Sequence, residues 1–173
     1  DDADRLRLWE VAGTSHADAF QAGVAVDMIG CEGQVNAGPQ QFLVRAALRA
    51  LDTWVRNGDV PPEAPRIEVD ESGAEPAIVR DDDGIAVGGI RTPVVDVPVD
   101  VLSGESAGGS IACELFGSTV PLPDERLAEL YAGVDDYMTR FTAATDEAIE
   151  AGWVLDNDRQ LMLDEAQPDR LAG

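Results

Sequence analysis

Residues 5–18 read RLRLWEVAGTSHAD. From Arg5 to Ala12, Leu6 and Leu8 alternate with arginines and lead into Trp9 and Val11, the period-two pattern of a half-buried strand. Gly13 to Asp18 then forms a small, polar loop. Sheet proteins often place functional groups in loops at strand ends. This loop carries His16, the one histidine of the chain, so any imidazole chemistry must use it. A histidine that serves as general base needs free orientation and a pKa near neutral. A flexible loop at the end of a strand supplies the first. The same spacing fits a surface-loop histidine with no role, and both readings stand at this point.

Downstream, Gly38-Pro39 sets the start of the clearest helix, because proline is tolerated in a first turn. Leu43, Ala47, Leu51 and Trp54 recur at helical spacing, Arg45, Arg49, Asp52 and Arg56 take the other face, and Gly58 is the stop. Pro61, Pro62 and Pro65 make a stiff linker. From Arg66 to Leu102 the pattern becomes strand-like. Ala77–Arg80 and Ile85–Val87 flank Asp81-Asp82-Asp83-Gly84, a hairpin turn. Thr92 to Val101 alternates valine with Asp or Pro and reads as an edge strand, the place where prolines are tolerated. Ser103 to Ser110 is a Gly/Ser-rich loop. The last third is helical: a short helix from Asp124 stopping near Gly133, a longer one through Tyr137, Phe141, Ala144 and Ala148 closing at Gly152, and a last one from Asp158 to Ala166. There is no internal repeat.

Composition narrows the function classes. The 173 residues hold 34 acidic and 12 basic side chains, a formal net charge of −22, and every basic residue is arginine. A general nucleic-acid binder is excluded, because phosphate binding needs clustered Lys and Arg. No run approaches the roughly 18 apolar residues that span a bilayer. A hydrophobic content of 45% suffices for a folded core. Acid without lysine resembles proteins adapted to high salt, or those of a GC-rich genome. Cys31 and Cys113 read either as two free thiols or as one bridge, and sequence does not fix which. No Cys/His pair has zinc-ligand spacing. Asp81–Gly84 lacks the ligand spacing of a calcium loop, and Asp156-Asn157-Asp158 lacks its Gly and terminal Glu. Both read as solvated turns or helix caps, and no metal or organic cofactor is expected.

A resemblance carries more than the spacing does. LRLWEVAGTSHAD, then VNAGPQQFLVRAALRALDTWVRNGDVPP, GGIRTPVVDVPVDVLSG, CELFGSTVPL and TAATDEAIEAGWVL occur in that order. Together they resemble the C-terminal half of the α/β-hydrolase-domain family of bacterial proteins, over nearly the whole chain. The resemblance implies that His16 is the triad histidine. It also implies that Arg5–Ala12 is the last core strand of a hydrolase sheet, and that the helix from Pro39 to Asn57 packs back on it. In this fold the triad order is Ser, then Asp or Glu, then His. With 15 residues before His16, the nucleophile and the acid are expected upstream, in the remainder of the hydrolase domain.

Gly104-Glu105-Ser106-Ala107-Gly108 is a literal G-x-S-x-G. A nucleophile elbow requires a core strand, a sharp turn and a supporting helix. Here Pro93 and Pro98 spoil the preceding strand, the stretch after Ser110 is short, and Ser106 comes after His16, the wrong order. Ser106 therefore reads as a loop residue. The expectation is an α/β fold, the C-terminal part of an α/β-hydrolase: residues 1–60 as strand, histidine loop and helix, 61–120 as a β-rich insertion, and 121–173 as C-terminal helices, all in one domain of a longer protein. The expected activity is serine hydrolysis of a small ester or related acyl bond, with His16 as general acid/base. The alternative is a non-catalytic binding or packing module.

Overall fold

The computed structural model describes residues 5–172. Two long helices organise it. Helix α2 (Gln40–Asn57) starts after Pro39 and ends at Gly58, whose left-handed backbone returns its N–H to the Trp54 carbonyl at 2.9 Å. Its buried residues are Phe42, Leu43 and Ala46; Phe42 and Leu43 meet Ile90, Ala148, Val154 and Met162 in one apolar cluster. The expected face is thus buried only at its N-terminal end: Ala47 and Trp54 are half-buried and Leu51 is exposed. The reason is that the covering layer meets the first two turns of α2 and not the last ones.

Helix α5 (Val134–Glu150) opens after Gly133 and buries Tyr137, Phe141, Thr145 and Ala148, the i, i+4, i+8 and i+11 positions of one stripe. Thr145 is tolerated there because its hydroxyl donates to the Phe141 carbonyl at 2.8 Å. Beneath α5, Tyr137 and Phe141 pack on Val97, Val99, Leu122, Leu127 and Tyr131. Helix α4 (Asp124–Leu130) supplies Leu127, and α6 (Arg159–Leu163), shorter than the predicted helix from Asp158 to Ala166, supplies Met162 to the cluster under α2. A third cluster joins Ala12, Ile85, Ala86, Val95 and Leu102. A short helix α1 (Ala19–Ala22) comes directly after the histidine loop.

The β structure is sparse. Strand β1 (Val69–Asp70) pairs antiparallel with β2 (Ala77–Ile78), and β3 (Asp100–Ser103) with β4 (Ser118–Pro121), in the register Asp100↔Pro121 to Ser103↔Ser118. The hairpin turn at Asp81–Gly84 is present, closed by Gly84 N–H to the Asp81 carbonyl and flanked by the Arg80↔Ala86 bridge.

Two strand expectations are corrected. Arg5–Ala12 is not a ladder strand. It holds isolated bridges instead of a ladder: Leu6 is one bridge residue, and Val11↔Ile90 is a parallel bridge with Ala12 N–H to the Ile90 carbonyl at 3.0 Å and Ile90 N–H to the Glu10 carbonyl at 2.7 Å. Side chains also hold it: Arg7 Nε donates to the Pro61 carbonyl, Trp9 Nε1 donates to that of Pro62, and the Trp9 ring meets Trp153 edge-on at 5.0 Å. Thr92–Val101 is not an edge strand either. Pro93 occupies the first position of a helical turn, α3 (Pro93–Asp96), and only Asp100 and Val101 of that stretch enter β3. Proline's fixed φ and missing N–H suit a helix start as well as an edge strand, and here the Thr92 carbonyl accepts the Val95 and Asp96 N–H groups to close the turn. The valines alternate because Val95, Val97 and Val99 each point into a core. The class is mixed α/β. No helix among the described residues is long and apolar enough to cross a membrane.

Candidate active site

Three loops converge around His16: residues 13–18, residues 30–38 and residues 103–117. Asn36 joins them. It is fully buried. Its Nδ2 donates to the Gly13 carbonyl at 3.0 Å and to the Ser103 carbonyl at 2.9 Å, and its Oδ1 accepts from Gly38 N–H at 2.6 Å. Its backbone N–H donates to the Phe116 carbonyl, and its carbonyl accepts from Ala19 N–H. Gly38 permits this approach, because a Cβ there would stand 2.5 Å from Asn36 Oδ1 and 2.6 Å from the Gly13 carbonyl oxygen.

The main chain of the histidine loop is held on both sides. Gln40, in the first turn of α2, donates from Nε2 to the carbonyls of Ser15 at 2.9 Å and His16 at 3.0 Å. Ala17 N–H donates to the Leu115 carbonyl at 2.8 Å. Ser15 turns its hydroxyl back onto the Ala17 carbonyl. Asp18 closes the loop as the N-cap of α1: its Oδ1 accepts from Gln21 N–H while Gln21 Oε1 accepts from Asp18 N–H. His16 itself is exposed, and its imidazole makes no hydrogen bond to a described residue. The backbone is fixed and the ring is free.

Asp18 and Glu165 set the electrostatics behind the loop. Burial pushes the Asp18 carboxyl up, against the N–H of Gln21 that pulls it down. Its Oδ2 is buried without a hydrogen-bond partner among the described residues. Glu165 is also raised, first by burial and then by the charges of Asp18 and Asp164. Both groups favour the neutral form more than an exposed carboxyl does.

The Gly/Ser loop lies against the histidine loop, since a Cβ on Gly104 would stand 2.7 Å from the Thr14 carbonyl oxygen. Its local geometry is that of a turn. Ser106 Oγ accepts from Gly108 N–H at 2.9 Å, and the strand before it is the four-residue β3 of a two-stranded sheet. On its C-terminal side stands a short 3-10 turn, Ile111–Leu115, in place of a supporting helix. Among the described residues no non-glycine has positive φ, so Ser106 lacks the strained backbone of an elbow nucleophile.

Cys31 and Cys113 are bridged, 5.4 Å apart between Cα atoms, so of the two arrangements open to these cysteines the bond is the one formed. The bridge ties the Gly30–Gln34 turn to Ile111–Leu115, the segment that accepts from Ala17. The acidic runs serve structure: Asp81 Oδ1 accepts from Asp83 and Ile85 N–H groups, Asp83 pairs with Arg126, and Asp158 pairs with Arg45 at 2.9 Å. Among the described residues no three His, Cys, Asp or Glu side chains are grouped to hold a metal ion. Sequence reasoning missed Asn36 and Gln40. The available signal was an asparagine two residues before a Gly-Pro helix start.

Comparison with curated proteins and with solved structures gives no match. A family model described as an alpha/beta hydrolase domain matches residues 1–164, which include the histidine loop, α2 and α5. The chain belongs to the alpha/beta hydrolase domain family.

Proposed function

We propose that this chain supplies the catalytic histidine of a serine hydrolase acting on an ester or related acyl bond of a small molecule. The serine and the orienting carboxylate come from the remainder of the hydrolase domain, upstream of His16. Membership of the hydrolase family supports hydrolysis. The observation that carries His16 is the division of labour in its loop: Gln40 and Leu115 hold the main chain, and the imidazole faces outward.

His16 takes the proton from the serine hydroxyl as its oxygen attacks the carbonyl carbon. It then gives that proton to the leaving alcohol as the C–O bond breaks. In the second half a water loses its proton to His16, attacks the acyl-enzyme, and the serine regains the proton. Side chains and water suffice for this sequence. Ser106 takes no part in it.

The test is hydrolysis of short aryl esters by the complete protein and by its His16→Ala variant. Loss of a triad member typically costs several orders of magnitude in rate. Activity within tenfold of the parent after the substitution would remove His16 from the mechanism. Absence of esterase activity in the parent, with a folded chain, would leave the domain a binding or packing module.

A further inference from the structure

We propose that the cavity between the histidine loop and the residue 67–86 segment binds a short aliphatic carboxylate, with Arg80 as its anchor. The cavity measures about 280 Å³, near the lower end of the roughly 300–1,000 Å³ of small-molecule sites. Ile67, Ile78, Ala86 and Leu102 form apolar walls, Thr14, two residues before His16 in the chain, also lines it, and Arg80 and Glu105 are the charged groups on its lining. Apolar walls beside an arginine paired to an exposed carboxylate suit a ligand with a short hydrocarbon body and one anionic end that replaces that carboxylate.

Arg80 is built in. Its Nη1 donates to the Gly84 carbonyl at 3.0 Å, and its Nη2 reaches Ser103 Oγ at 3.4 Å and Glu105 Oε2 at 3.0 Å. The Arg80 side chain is 28% exposed and that of Glu105 is 72% exposed. The guanidinium is therefore fixed from below, while its carboxylate partner reaches in from solvent. Such a solvated pair is worth little. The Glu105 main chain is held separately, by Ser103 Oγ accepting its N–H and Ser118 Oγ donating to its carbonyl, so the side chain can swing away without moving the loop. Glu105 shows that this position accepts a carboxylate, and a ligand carboxylate in the same place gains the walls as well. Arginine pairs with carboxylate and phosphate alike, so the apolar walls make the choice and disfavour the more strongly hydrated inorganic phosphate. The site does not depend on His16 being catalytic.

The experiment is calorimetric titration of the 173-residue chain with acetate, propionate and butyrate, with 1-butanol and inorganic phosphate as controls. Affinity should tighten by roughly fourfold per added methylene. Butanol and phosphate should each bind at least tenfold more weakly than butyrate. Glu105→Gln, an exposed and structurally mild change, should tighten butyrate by threefold or more. Arg80→Gln should weaken butyrate at least tenfold and leave butanol unchanged. If Arg80→Gln unfolds, the Glu105→Gln result decides. Equal binding of butyrate and butanol, no heat with any of the three acids, or unchanged butyrate affinity in Glu105→Gln each overturns the site.

Discussion

Replacing Asn36 with alanine tests whether one buried side chain holds the candidate site together. The change deletes three hydrogen bonds, to the Gly13 and Ser103 carbonyls and from Gly38 N–H. At about 1 kcal/mol net for each bond, the expected loss is about 3 kcal/mol, and more if the stranded groups stay dry. For a chain of this length that corresponds to a fall in Tm of roughly 6–12 °C. Asn36→Asp discriminates further. Its Oδ1 can still accept from Gly38, but the second oxygen, when ionised, confronts the Gly13 and Ser103 carbonyls in a buried site. The folded state must then favour the protonated acid, so the folded pKa is raised. Stability of that variant should be greatest below the ordinary carboxylate range and be lost as pH rises through the raised value. Urea denaturation of the parent and both variants, across pH, measures this. A loss below about 1 kcal/mol for Asn36→Ala, or an Asn36→Asp stability that tracks the parent at every pH, would refute the hub.

Cys31→Ser with Cys113→Ser should cost about 4.5 kcal/mol, because the bridge closes 82 residues of separation and the chain-entropy estimate for such a loop lies just below that for about 100 residues; calorimetry showing a Tm change of under about 3 °C would contradict it. Asp18→Asn keeps a capping oxygen for Gln21 and removes a carboxyl that burial holds above its ordinary value. The parent should therefore gain stability as pH falls from neutral to the ordinary carboxylate range, and the variant should gain less; identical pH slopes would rule out Asp18 as the source. Below that range Asp83, Asp136 and Asp146 act oppositely. Arg126, the Ala132 N–H and Arg159 respectively hold them low, so their contribution is lost as pH falls through their depressed values. At −22 the chain repels itself, and the arginine pairs described are mostly half-exposed and worth little. Tm should rise as sodium chloride increases from about 0.01 to about 1 M, where the screening length falls from about 30 to about 3 Å; a steady fall would mean that paired attraction outweighs the repulsion.

Local patterns were legible in the sequence and long-range partners were not. Pro39, the apolar spacing and Gly58 announce α2, all within one window. Tyr137, Phe141 and Ala148 announce the α5 stripe in the same way. Pro93 misled because proline is compatible with two elements, and its neighbours Val95, Val97 and Val99 suit the pleat of a strand as well as an irregular buried turn. Arg5–Ala12 misled because alternation describes a half-buried segment whether its partners are strands or side chains, and here Pro61 and Pro62 receive Arg7 and Trp9. At the site, the loop of His16 announced itself by composition. Its supports did not, since the carbonyls that accept from the Asn36 amide lie 23 and 67 residues away and those that accept from Gln40 lie 24 and 25 away. A single sequence carries no mark of which distant carbonyl an amide will meet.

The supports of the histidine loop all act on its main chain, and this bears on how the site would work. Holding a backbone segment in one conformation costs roughly 1–2 kcal/mol per residue in entropy. Asn36, Gln40 and Leu115 meet that cost for residues 13–17 during folding, before any substrate arrives. The remaining freedom is the rotation of one imidazole. In triad chemistry that freedom is removed by a carboxylate on Nδ1, which fixes tautomer and orientation together. Asp18, the nearest acid on the C-terminal side of His16, cannot serve: its Oδ1 caps α1, its Oδ2 is buried, and burial favours its neutral form. Under the proposed function the orienting acid is therefore not Asp18, and the exposed imidazole of His16 is open to another carboxylate. The loop is thus rigid in its main chain and open at its imidazole, which is the arrangement the proposed function requires.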